Sequence, residues 1–267
     1  MPCTDTDGVS LYYEEHGPAD ADTVVFVEGL GYGRWMWRWQ REALSDDHHV
    51  VLWDNRGTGK SDAPDGPYSI EEMASDLESV LAAAGVESAH VVGASMGGMI
   101  AQRYALDYDR AETLSLLCTT PGGENSVPTP PETQERMFDV PAEYDEREAI
   151  RYKMAPAMSE AFAEERDDLV SDVVDRRLAE DASDEARRAQ AAGVMHFDAS
   201  DRLGELTLPT LIAHGTADRV LPVGNAELLA DLLPHAELER FDGGSHLFFI
   251  EESGTVNERL RTFLHDA

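Results

Sequence analysis

The sequence predicts an α/β protein: a mostly parallel central sheet with helices on both faces and a helical insertion over it. Short β-rich runs alternate with helical patterns through the first half of the chain and again near its end. Regular alternation of strand and helix argues for an open, mostly parallel sheet covered on both faces. Between residues 121 and 203 this rhythm stops and only helical patterns remain.

The first strand falls at 11–14 (Leu-Tyr-Tyr-Glu), and 23–27, 49–53 and 90–93 follow, each bounded by Gly, Asp or Pro. The last three of these read as parallel neighbours. A helix spans 69–84, with Ser69 as N-cap, Glu72 completing a capping box, and Met73, Leu77, Val80 and Leu81 on one face before Gly85 ends it. Strands resume at 113–118, 210–214 and 237–241, with helices at 225–233 and 254–264. Within the insertion, 121–141 carries five of the 13 prolines, and an acidic helical pattern runs over 161–180. Met137, Met154, Met158, Phe162, Met195 and Phe197 recur there at helical spacing, which suits ordinary packing or the roof of a pocket. The expected organisation is therefore a core of 1–120 and 204–267 with a cap of 121–203.

Composition narrows the function classes. The 267 residues hold 53 acidic and 21 basic side chains, a formal net charge of −32. Such a surface repels phosphates and anionic lipid heads, so neither nucleic acid nor a membrane is expected as partner. The N-terminus carries no signal-peptide pattern and no run is long enough to span a bilayer, so a cytoplasmic location is expected. Cys3 and Cys118 lack metal or redox spacing, and no metal or other cofactor is expected. Only Lys60 and Lys153 are lysines, against 19 arginines. Carboxylates that repel in dilute buffer are tolerated at molar salt, where the Debye length is about 3 Å. The charge balance resembles that of halophilic proteins; the regular strand and helix pattern argues against the alternative, disorder.

Chemistry concentrates at 93–102, Gly-Ala-Ser-Met-Gly-Gly-Met-Ile-Ala-Gln. A Gly-x-Ser-x-Gly segment is common by chance, but here it follows a strand directly and opens a helix, the strand, tight turn and helix of a nucleophile elbow. With the Asp-Asn-Arg-Gly turn at 54–57, the chain resembles the α/β-hydrolase superfamily, closest to its carboxylesterase and 3-oxoadipate enol-lactonase-like branch. The resemblance implies the α/β-hydrolase fold and Ser95 as nucleophile. It places the acid at Asp218, in His-Gly-Thr-Ala-Asp-Arg-Val-Leu-Pro, and the base at His246, in Gly-Gly-Ser-His-Leu. Asp201 and Asp242 compete with Asp218 and lack its loop context, as do the remaining histidines, including His48, His49, His90 and His214, beside His246.

A tetrahedral intermediate needs two backbone donors. The resemblance puts them at Met96, just after the nucleophile, and at Leu30 in the turn after the strand 23–27. Where the family commonly has His before the Gly of that turn, this chain has Glu28. An ionised carboxylate there would oppose a developing oxyanion, so Glu28 is expected to turn away, to be paired, or to be protonated. The segment 54–62 lacks the Walker order and reads as a structural loop tied down by Asp54 and Arg56. Trp35 and Trp39 read as helix packing near a pocket entrance. Candidate pocket residues are Glu28, Gly29, Trp35, Met154, Met158 and Leu247. The implied activity is hydrolysis of a small-molecule ester or lactone through an acyl-enzyme, without cofactor. A cofactor-free lyase or perhydrolase on the same triad, or a ligand-sensing binding protein on the same fold, are the alternatives. Oligomeric state is not legible.

Overall fold

The computed structural model describes residues 3–267. Eight strands form one sheet: β1 (Cys3–Thr6), β2 (Val9–His16), β3 (Thr23–Val27), β4 (His49–Trp53), β5 (Ala89–Ala94), β6 (Ala111–Leu117), β7 (Thr210–Gly215) and β8 (Ala236–Phe241). Their order is β1-β2-β4-β3-β5-β6-β7-β8, with β1/β2 and β2/β4 antiparallel and all other pairs parallel. The edge strand β1 carries no apolar run, which is why the sequence does not announce it: its residues are exposed or half-buried.

The continuous apolar runs are explained by two cores, one on each face. Val25, Val27, Val51, Trp53 and Val91 face one cluster, whereas Val24, Phe26, Val50, Leu52 and Val92 face the other. Successive side chains of a strand point to opposite faces, so both faces must be apolar when both are covered. Helices α1 (Arg38–Leu44), α2 (Ile70–Ala83) and α3 (Met96–Asp107) alternate with the early strands. The α2 helix has the predicted capping box: Ser69 Oγ accepts from Glu72 N–H, and the Glu72 carboxylate accepts from Ser69 N–H. The loop after β4 is held by Asp54, which accepts from Arg34 Nη1 at 2.7 Å and from the Lys60 amide at 3.0 Å. Arg56 forks onto Asp76 of α2 at 2.6 and 2.7 Å.

Between β6 and β7 every regular element of the described residues is helical: α4 (Pro131–Phe138), α5 (Glu146–Met154), α6 (Glu160–Glu165), α7 (Asp167–Glu180) and α8 (Asp184–His196), with 3₁₀ turns at Ala155–Ala157 and Leu203–Glu205 and an isolated bridge between Gly122 and Asp198. The pattern read as one helix over 161–180 is two, because Arg166 leaves helical geometry at φ −123°, ψ 44°. Trp35 lies on a 3₁₀ turn (Arg34–Trp37) ahead of α1, so it and Trp39 do not share a helix. After β7 come α9 (Gly224–Leu232), α10 (Phe248–Glu251) and α11 (Ser253–Asp266). No helix of the described residues is long and apolar enough to cross a membrane.

Candidate active site

The strand order reverses direction about β3, which has β4 on one side and β5 on the other. Crevices form at the carboxyl ends of strands at such a switch point, and there β3 and β5 deliver the turn at 28–31 and Ser95. Ser95 sits at φ 55°, ψ −119°, backbone that an L-residue adopts only under strain. It is held by its amide donating to Leu117 O at 2.9 Å and by Thr119 Oγ1 donating to Ser95 O at 2.7 Å. The flanking glycines are sterically required. A Cβ on Gly97 would lie 2.0 Å from Val27 O, and one on Gly93 would lie 2.3 Å from Gly97 O.

The loops after β7 and β8 are knitted together by Thr216 N–H donating to Phe241 O and Ala217 N–H to Gly244 O, each at 2.9 Å. This brings His246 Nδ1 to 2.7 Å from Asp218 Oδ2. An ionised carboxylate only accepts, so Nδ1–H is the donor and Nε2 is the nitrogen turned away from Asp218. The other oxygen, Oδ1, accepts from the Val220 and Leu221 amides at 2.7 and 2.9 Å. A second imidazole, His214, stands with Nε2 at 3.1 Å from Asp218 Oδ2 and 2.8 Å from Leu221 O. Burial by itself would raise the Asp218 pKa. The His246 charge and the hydrogen bonds from His214 and His246 outweigh it and hold the carboxyl down at about 2.

Ser95, Met96, Leu30, Gly29, His246 and Leu247 line one cavity of about 580 Å³, whose wall also includes Met137, Phe138, Met154 and Met195 from the helical segment between β6 and β7. In the turn after β3 the amides around Leu30 are committed: Gly29 N–H to Met36 Sδ at 3.4 Å, Gly31 N–H to Gln190 Oε1 at 2.8 Å and Tyr32 N–H to Gly29 O at 3.1 Å. A Cβ on Gly29 would stand 3.5 Å from Ser95 Cβ, which fixes how close this turn lies to the serine.

Three expected pocket residues do not line the cavity. Glu28 is fully buried behind the turn, where its Oε1 accepts from the Asn55 amide at 2.9 Å. Burial, then the nearby Asp54 charge, push its pKa well up, which favours the neutral carboxyl. Trp35 turns away to donate its Nε1–H to Asp181 at 2.9 Å. Met158 packs in the apolar cluster under the cap, as do Phe162 and, in the opposite cluster, Phe197. Conversely, the cavity wall includes Lys153, Arg177, Arg187 and Arg188, which the sequence reading passed over. Basic residues interspersed on acidic helices carry no local signal of a shared site; only the folding of α5, α7 and α8 over one cavity brings them together.

Residues 22–253 match the sequence pattern of the alpha/beta hydrolase fold family. A protein of Variovorax paradoxus provisionally named a carbamate hydrolase, RutD, is 33% identical over 265 residues, covering 95% of this chain and 96% of its own. Among solved structures, Est816, described as an N-acyl homoserine lactone degrading enzyme, superposes with TM-score 0.84 at 31% identity, covering 98% of this chain and 100% of its own. A thermophilic esterase from Thermogutta terrifontis superposes with TM-score 0.82 at 30% identity, covering 99% and 96%. With a family match over most of its length, esterase and lactone-degrading neighbours, and an eight-stranded sheet of this order, the chain belongs to the alpha/beta hydrolase fold family.

Proposed function

We propose that the protein is a serine hydrolase of carboxylic esters or lactones, in which Ser95, His246 and Asp218 form the catalytic triad and the Leu30 and Met96 amides form the oxyanion hole. The observation that carries this reading is the 2.7 Å contact of His246 Nδ1 with Asp218, on the cavity that also exposes the strained Ser95. His246 Nε2 removes the Ser95 proton as Oγ attacks the carbonyl, and returns it to the leaving alcohol. Asp218 stabilises the imidazolium without taking the proton. The amides of Leu30 and Met96 hold the tetrahedral oxyanion, and water activated by His246 then releases the acid. Glu28 is buried behind the turn with its carboxyl on the Asn55 amide, and burial favours its neutral form, which limits its opposition to that charge. The helices at 121–203 act as the cap that encloses the substrate.

A carbamate is the second reading, favoured by the relative named for that activity; the same groups would form and hydrolyse a carbamoyl-enzyme. A fluorophosphonate probe should label the wild type and leave Ser95→Ala unlabelled, and the substitution should cut kcat by roughly 10⁴-fold or more. An unlabelled wild type would point instead to a binding protein. Comparing kcat/KM for matched esters, lactones and carbamates then assigns the substrate class. The proposal extends to the solvent: the carboxylate-rich, lysine-poor surface is an adaptation to high salt.

A further inference from the structure

We propose that the cavity takes a substrate bearing a carboxylate or similar organic anion, and that Arg187 binds this group with Lys153 beside it. The inference deepens the hydrolase reading and rests on it, because the site opens on the same cavity as Ser95. In a chain of net charge −32, no Asp or Glu of the described residues lines this cavity, yet Lys153, Arg177, Arg187 and Arg188 do.

Arg187 is singular among the buried arginines. Arg34 meets Asp54 at 2.7 Å, Arg56 meets Asp76 at 2.6 Å and Arg177 meets Asp181 at 2.7 Å. Arg187 is only 8% exposed, and its Nε has no hydrogen-bond partner. Among the described residues no carboxylate stands within ion-pairing reach of it. The neighbouring acids are already engaged, Asp181 by Arg177 and Asp184 by Lys153 at 3.6 Å. What steadies the guanidinium is the face of Phe138, 5.3 Å from its carbon. A buried cation without a counter-ion is costly to keep, and a bound anion would supply the missing partner in the bidentate geometry that guanidinium favours.

Its position suits a substrate contact. A Cβ on Gly31 would lie 3.3 Å from Arg187 Cγ and Cδ, so the side chain crosses the turn that holds Leu30. An anionic arm placed there would orient the scissile carbonyl in the same turn. Burial, and next the Arg177 charge, lower the Arg187 pKa, in keeping with a cation short of negative charge.

The test uses Ser95→Ala protein, which cannot turn over ester, in the lowest KCl that keeps the chain folded. Calorimetric titration compares succinate, glutarate and adipate with their diamides. At least one dicarboxylate should bind about 10-fold or more tighter than its diamide, and adding Arg187→Gln should weaken it about 30-fold or more. Arg187→Lys should retain part of the preference, and Arg166→Gln, an exposed cap arginine outside the cavity, all of it. Equal binding of anion and amide by the Ser95→Ala protein overturns the proposal, even if Arg187→Gln does not fold. Undiminished dicarboxylate binding by a folded Arg187→Gln protein overturns it too. Anion binding through Arg187 without ester turnover by wild type would defeat the hydrolase reading and leave this site standing; ester turnover without anion preference would do the reverse.

Discussion

Glu28 shows what a single residue can conceal. In the sequence it threatens the oxyanion turn with a negative charge; in the fold its carboxyl lies fully buried behind that turn, bonded to the Asn55 amide. Because burial raises its pKa, folding takes up a proton at this site. Its contribution to stability is thus full below the unfolded carboxyl pKa of about 4 and is lost as pH rises through the folded value. Glu28→Gln can keep the Asn55 contact and removes that dependence. Its stability relative to wild type should climb as pH rises above about 4, measured by urea denaturation across pH. The kcat/KM pH profile should keep its shape; a limb that appears or vanishes in the variant would place Glu28 in the reaction. At the same scale, the loops that carry Ser95, Asp218 and His246 could be picked out in advance because each has a local pattern of its own. His214, touching Asp218, and Arg187 were not, because their significance arises from neighbours distant in sequence.

At the scale of elements, the turn between β5 and α3, proposed as the nucleophile elbow, is tightly specified. β3 and α3 approach so closely at Gly97 that a methyl group would collide with the Val27 carbonyl. Gly97→Ala should cost about 3 kcal/mol or more, seen as a lower urea midpoint, with a loss of kcat among molecules that still fold. Gly254→Ala provides the contrast: nothing lies within 4 Å of its Cβ position in α11, so stability should hold or rise by up to about 1 kcal/mol. If both variants behave alike, the steric account of the elbow is wrong. The apolar runs of β3, β4 and β5 and the capping box of α2 could be read in advance because their causes are local. The edge strand β1 and the break at Arg166 could not, since one is an exposed pairing without apolar pattern and the other interrupts a continuous acidic helical sequence.

For the whole molecule, the governing quantity is the charge of −32. Self-repulsion of that size weakens the compact state in dilute buffer and is screened at molar salt. The thermal midpoint and the activity should both rise as KCl is raised from about 10 mM to molar concentration; full stability and activity in dilute buffer would refute the salt adaptation. An anionic substrate would meet long-range repulsion from this surface as well, so screening should favour its approach while Arg187 acts only at contact. The sequence by itself determined the class of the fold, the elbow and the two loops that carry Asp218 and His246, because strand burial and turn geometry are written in short runs of neighbouring residues. Only the tertiary structure decided which residues reach the cavity. Glu28, Trp35 and Met158 turn away from it, while Lys153 and Arg187 come to line it, because helix packing and the pairing of buried charges depend on groups that the chain brings together only when folded.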